Sequence, residues 1–225
     1  MLFQQQAGFV DVSAEYLVRN YTVEDGLPVN AISDIVQDED GYLYFATYNG
    51  LVRYDGYEFT TYNSSNSEGL ESDRIVGMAM APSNTIWLID ETTKVISYKD
   101  GSFKTYTESD GVTGSAEYIE ISEDGDVWVV TSKGLLKFNP NQNSFEQQSE
   151  LNKNESIWRV SPLGNGKLLG VSENGLFKWD GNKTKQLLPI EDFPTGKSVI
   201  NFITKLSNGD IWMASNGAFS FNENT

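Results

Sequence analysis

A large side chain recurs at Tyr44, Trp87, Trp128, Leu169 and Trp212, at intervals of 43, 41, 41 and 43 residues. Each sits in a similar run: "GYLYFAT" from Gly41, "NTIWLID" from Asn84, "GDVWVVT" from Gly125, "GKLLGVS" from Gly166 and "GDIWMAS" from Gly209. A fixed period of this length makes each unit one supersecondary element that buries its apolar surface against the units beside it.

The first unit contains four runs suited to strands, "NAISDIVQ", "YLYFAT", "GLVRY" and "YEFTTY". The turn-forming groups "DEDG", "YNG" and "DG" separate them. Later units open with "RIVGMAM", "EYIEIS", "SIWRVS" and "VINFITKL". Four short strands in about 42 residues match a propeller blade, so the fold class expected is all-β, a β-propeller of four-stranded antiparallel blades. Five blades are expected near 30–62, 74–106, 117–148, 156–188 and 198–221, behind an N-terminal extension over 1–15. Alternation puts Leu43 and Phe45 on one face of a strand and Tyr42 and Tyr44 on the other; in a stack of blades both faces are covered.

The last unit supplies "AFSF" as a third strand and then stops. The missing fourth strand has a counterpart at the other end: "YLVRNYTVEDGLP" from Tyr16 parallels "YEFTTYNSSNSEGLES" from Tyr57, and Gly26-Leu27 matches Gly69-Leu70 and Gly111-Val112. Residues 16–22 are therefore expected to complete the fifth blade and close the ring, which would remove an open sheet edge.

Charge and residue usage narrow the chemistry. Sixteen basic against 32 acidic residues give a net charge of -16, so nucleic acid is a poor partner. With no histidine and no cysteine, a Ser-His-Asp triad, thiolate catalysis and sulfur-ligated metal are excluded. No apolar run reaches the ~18 residues of a membrane span. The opening "MLFQQQAGFVDVSAEY" lacks the basic flank of a signal peptide, which reads as a cytosolic chain or a mature N-terminus. The acidic "DEDG" at Asp38 and "EDGD" at Glu123 read as hairpin turns: counted from Asp38, an EF-hand needs an oxygen ligand at the fifth position, which is Tyr42, and a bidentate Glu at the twelfth, which is Asn49. No cofactor or metal is expected.

Three functions fit a propeller of this kind. A glycoside hydrolase needs only two suitably spaced acids, and Asp34, Glu117 and Glu120 lie on expected innermost strands, at unmatched offsets. A scaffold or homodimerisation platform would show an apolar excess on outer strands, which alternate instead with polar residues. Binding is favoured, in a pocket where the loops entering each first strand meet those joining second to third. These loops carry the candidate ligand-binding residues Asn30, Tyr48, Asn49, Arg74, Lys133 and Asn216, with Asp73 and Asn174 beside them. A tyrosine face suits a sugar ring and the amides suit its hydroxyls.

The stretch from Tyr21 to Asn63 resembles the repeats of two-component regulator propellers, the sensor regions of bacterial hybrid histidine kinases and of some membrane-bound diguanylate cyclases. The matching features are Gly26-Leu27-Pro28, Asn30, Ile32, Asp40-Gly41, the "YFAT" run, Gly50-Leu51 and Tyr54-Asp55-Gly56. The resemblance implies a non-catalytic sensory domain in the periplasm or outside the cell. It also implies a small-molecule or oligosaccharide ligand, and a kinase or cyclase output module of the same receptor outside this sequence.

Overall fold

The computed structural model describes residues 18–151, 156–194, 200–215 and 217–222. These form 19 strands in five antiparallel sheets with three short 3-10 turns. Blade 1 contains β1 (Ile32–Gln37), β2 (Leu43–Thr47), β3 (Gly50–Tyr54) and β4 (Phe59–Tyr62). Blade 2 contains β5 (Ile75–Met80), β6 (Ile86–Asp90), β7 (Val95–Lys99) and β8 (Ser102–Tyr106). Blade 3 contains β9 (Ala116–Ile121), β10 (Val127–Thr131), β11 (Gly134–Asn139) and β12 (Ser144–Gln147). Blade 4 contains β13 (Ile157–Gly164), β14 (Lys167–Ser172), β15 (Gly175–Trp179) and β16 (Thr184–Pro189). The fifth sheet has three strands, β17 (Phe202–Lys205), β18 (Asp210–Ala214) and β19 (Ala218–Asn222).

Local chemistry explains the repetition. At the first hairpin of blade 1, Asp38 Oδ1 accepts from the N–H groups of Asp40 and Tyr42, and Gly41 takes φ +89. The acidic motif thus closes a turn. At the second hairpin Thr47 donates its hydroxyl to the Gly50 carbonyl, and Thr131 does the same to Gly134. Gly50 is required twice over: its φ is +113, and an added Cβ would collide with the Tyr62 carbonyl.

The core lies between blades. Tyr44, Ala46 and Leu51 of blade 1 pack on Ile75, Met78, Leu88, Tyr98 and Phe103. Trp87 and Ile89 of blade 2 pack on Val127, Val129 and Phe145. Trp128 and Val130 pack on Val160, Leu168, Phe177 and Trp179, and Leu169 and Val171 pack on Ile203, Ile211 and Met213. In blades 1 to 4 the periodic large residue is therefore a peg driven into the next blade. Aromatic pairs add to the burial, with Trp87 edge-on to Phe138 at 4.7 Å and to Phe145 at 5.6 Å.

The expected ring closure is not seen among the described residues. First strands contact one another in the order β1, β5, β9, β13, β17, and no comparable contact returns from β17 to β1 among the described residues. Residues 18–22 join no sheet, and 16 and 17 lie outside the described residues. Tyr21 instead lies against blade 1, 5.2 Å from the Tyr54 ring and 5.6 Å from Phe59. The apolar back face of blade 1 holds this tyrosine, so the segment sits where a preceding blade would end rather than beside β19.

Candidate functional site

Each of the four complete blades carries a register shift near the start of its first strand, at Ser33, Val76, Glu117 and Trp158. A bulge adds one residue and re-aims the next side chain. Pairing with the second strand then places Asp34 opposite Ala46, Gly77 opposite Ile89, Tyr118 opposite Val130 and Arg159 opposite Val171. These four hold one structural position along the inner strands, and Phe202, opposite Ala214, holds it in the fifth sheet.

Here the inner strands of blades 1 to 3 enclose a cavity of about 420 Å³. Asp34, Glu117, Tyr118 and Glu120 line it together with Ser33, Val76, Gly77 and Met78. Space exists because the blade 2 position is glycine: a Cβ built on Gly77 meets nothing within 4 Å. The walls are braced across blades. Ser33 donates to the carbonyls of Ala46 and Ile75, and Asp34 Oδ2 accepts from the Met78 N–H at 3.1 Å.

Tyr118 donates to Glu120 Oε1 at 3.0 Å, and the Arg159 guanidinium lies 4.5 Å from the Tyr118 ring centroid. Arg159 is tethered through Nε to the Asn201 carbonyl at 2.9 Å. Burial raises the Asp34 carboxyl above its ordinary range, against the pull of backbone donors from Ile35 and Met78. Burial also raises Glu120, with repulsion from Asp34 adding to it while the Tyr118 hydrogen bond opposes it. Tyr118 is raised too, first by burial and then by the Glu120 charge. The cavity thus presents convergent hydrogen-bond acceptors and an aromatic ring in a partly desolvated setting.

The residues expected to bind ligand are placed differently. Tyr48 and Arg74 do meet, with the guanidinium 4.0 Å from the ring centroid, and Arg74 reaches Glu91 at 3.3 Å. Both partners are about half exposed, so this is a surface stack and ion pair. Asn30 uses its Oδ1 to accept from the Val23 N–H. Asn49 and Lys133 donate their backbone N–H groups to Thr47 and Thr131, as Asn174 does to Ser172. Asp73 accepts from the Ser64 N–H, and Asn216 lies outside the described residues. Among the described cavities none brings this set together; Asn174 borders a separate one beside Gly175 and Gln186.

Asp34, Glu117 and Glu120, in contrast, share the axial cavity. Tyr118, Arg159 and Gly77 were not singled out from sequence, although Gly77 follows Asp34 by 43 residues and Tyr118 follows Gly77 by 41. That spacing is the repeat period, and it was the available signal.

Residues 26–49 match the family model described as "Two component regulator propeller", so the chain carries a repeat of that family. Among solved structures, the extracellular domain of a protein assigned as a hybrid two component system of B. thetaiotaomicron is 23% identical, with a TM-score of 0.66 over 86% of this chain and 27% of that one. A second such domain from B. thetaiotaomicron is 20% identical, with a TM-score of 0.63 over 83% of this chain and 26% of that one. The chain thus spans about a quarter of the length of those two proteins. A catalytically inactive histidine-to-alanine variant of virginiamycin B lyase from Staphylococcus aureus, solved with quinupristin, is 13% identical. Its TM-score is 0.59, over 84% of this chain and 68% of that one. These likenesses establish the propeller fold. No curated protein matches the chain.

Proposed function

We propose that this chain is a non-catalytic ligand-binding propeller of a sensory receptor, acting in the periplasm or outside the cell on a small polyhydroxylated ligand such as an oligosaccharide. The carrying observation is the axial cavity, where three blades converge Asp34, Glu117, Glu120 and Tyr118 on a space left open by Gly77. Carboxylates and a tyrosine there can bind sugar hydroxyls and a ring face. The matched repeat and the two extracellular receptor domains support a sensory context. No helix among the described residues is long and apolar enough to cross a membrane. In this reading kinase or cyclase output lies outside these residues.

A ligand drives such a receptor only through its differential affinity for two states. The cavity suits that role because its walls belong to three separate sheets. A bound molecule that bridges β1, β5 and β9 favours one relative placement of those blades over others.

A second reading is a glycosidase, favoured by the raised carboxyls of Asp34 and Glu120 facing one cavity. Lyase chemistry lacks support: the aligned lyase is inactive once a histidine is replaced, and this chain contains none. A thermal-shift screen against oligosaccharides and small carboxylates, with product analysis in the same tube, separates the readings. Ligand at 100 times its Kd adds about 2.7 kcal/mol, a shift of several degrees. A shift with the sugar intact supports the sensor, and a cleaved sugar supports the hydrolase. If no sugar shifts the melting point, the proposed ligand class fails.

A further inference from the structure

The third strand of each complete blade sets one side chain opposite the periodic large residue: Arg53 opposite Tyr44, Ser97 opposite Trp87, Lys137 opposite Trp128 and Lys178 opposite Leu169. Three of these four are long and cationic. The Arg53 guanidinium lies 5.0 Å from the Tyr42 ring centroid, and Lys137 stands 5.1 Å from the Trp128 ring centroid while reaching Asp126 at 2.8 Å. The apolar stem of such a residue covers the aromatic surface beside it. Ser97 has no stem.

Beside Ser97 the interface between blades 2 and 3 opens into a cavity of about 380 Å³, which shares no lining residue with the axial cavity. The rings of Trp87, Tyr106 and Phe138 form its apolar side. They hold one another in place: Trp87 lies 5.2 Å from Tyr106 and 4.7 Å from Phe138, and the Tyr106 hydroxyl donates to Asn143 Oδ1 at 3.0 Å. The aromatic wall is therefore formed before any guest arrives.

The charges around this space are unevenly satisfied. Asp124 and Asp126 border it, but their carboxylates are engaged toward blade 4, Asp124 by the Asn165 N–H and Asp126 by the Gly166 N–H and Lys137. Lys104, 4.1 Å from the Tyr106 ring centroid, is paired with Asp110 at 3.5 Å. Lys99 also borders the cavity, two residues beyond Ser97 on β7, and forms no ion pair among the described residues. Aromatic surface and one uncompensated positive charge thus meet in a single space.

We propose that this cavity is a second ligand site, separate from the axial one, and that it takes a small aromatic carboxylic acid. The ring of the acid packs on Trp87, Tyr106 and Phe138 in the room that Arg53 and Lys137 fill at their own interfaces. Its carboxylate pairs with Lys99, and the Ser97 hydroxyl stands beside it as a further donor. A cationic guest would copy Arg53 and Lys137 in shape. It would meet repulsion from Lys99, however, and would find no free carboxylate to do for it what Asp126 does for Lys137.

Calorimetric titration of the 225-residue chain with 2-naphthoate, 2-naphthamide and 2-naphthylmethylamine tests this. The acid should bind at least tenfold more tightly than the amine. Ser97→Arg, which places the blade 1 residue in blade 2, should abolish naphthoate binding. Lys99→Gln should weaken naphthoate about tenfold and leave naphthamide unchanged. Gly77→Tyr, which fills the axial cavity, should leave naphthoate binding as it was. Naphthoate binding that survives Ser97→Arg or is lost in Gly77→Tyr overturns the proposal, as does an amine that binds as tightly as the acid or no heat at millimolar naphthoate. If Ser97→Arg does not fold, amide shifts of the parent chain decide. Shifts centred on residues 97–99 and 138–143 support the site, and shifts centred elsewhere overturn it.

Discussion

The loop face and the axial cavity of this propeller are built from similar residue types, and they use them in opposite ways. On the loop face Asn30, Asp73 and the stacked pair Tyr48–Arg74 satisfy one another or the nearby backbone. In the axial cavity Asp34, Glu120 and Tyr118 are anchored by neighbours, yet still border a space of about 420 Å³. Polar residues near a propeller mouth therefore do not by themselves line a cavity; in blades 1 to 3 a bulge aims them and Gly77 leaves room.

The sharpest way to break this comparison is to fill the room. Gly77 has a backbone that L-residues accept, and nothing stands within 4 Å of its Cβ position. Gly77→Tyr should abolish the ligand-induced thermal shift while leaving Tm of the free protein within a few degrees of the parent. Retained binding would place the ligand elsewhere.

Neutralising the walls should have the next largest effect. Asp34→Asn with Glu120→Gln removes two charged acceptors and should weaken sugar binding tenfold or more, on the scale of about 1.5–3 kcal/mol for a charge-assisted hydrogen bond. Tyr118→Phe deletes one hydroxyl and should cost less, read as a smaller rise in Kd by calorimetry.

A pH series tests the same walls through stability. Both carboxyls are raised in the folded state, chiefly by burial. Their contribution is therefore fully present below the ordinary carboxylate pKa and is lost as pH rises through the raised folded values. The Asp34→Asn, Glu120→Gln protein should melt above the parent at pH 8, and the gap should close by about pH 4. A gap that widens on acidification would show that these carboxylates stabilise the fold when charged.

The smallest effect belongs to the loop face. Tyr48→Ala removes an exposed ring from Arg74 and should cost at most about 0.5–1 kcal/mol in denaturant unfolding. Ligand affinity should not change. A large loss of affinity would return the site to the loops.

Much of the fold was legible because the repeat records packing directly. Tyr44, Trp87, Trp128 and Leu169 recur at a fixed spacing because each must reach the next blade, and aspartate-glycine pairs recur because the hairpins need them. Closure was not legible. The likeness of residues 16–22 to a fourth strand is real, but a fourth strand packs on two blades. Among the described residues Tyr21 packs on blade 1, and its segment joins no sheet. The candidate site is half legible: Asp34, Glu117 and Glu120 read as acids at unmatched offsets. Their convergence depends on bulges at Ser33 and Glu117 and on the absent side chain of Gly77, neither of which is visible in a count of acids.

The most direct measurement is calorimetric titration of the oligosaccharide giving the largest thermal shift into the parent chain and into Gly77→Tyr. The account predicts one-to-one binding with intact sugar to the parent, and no heat with a folded Gly77→Tyr protein. Equal binding to both would show that the axial cavity of blades 1 to 3 is not the ligand site.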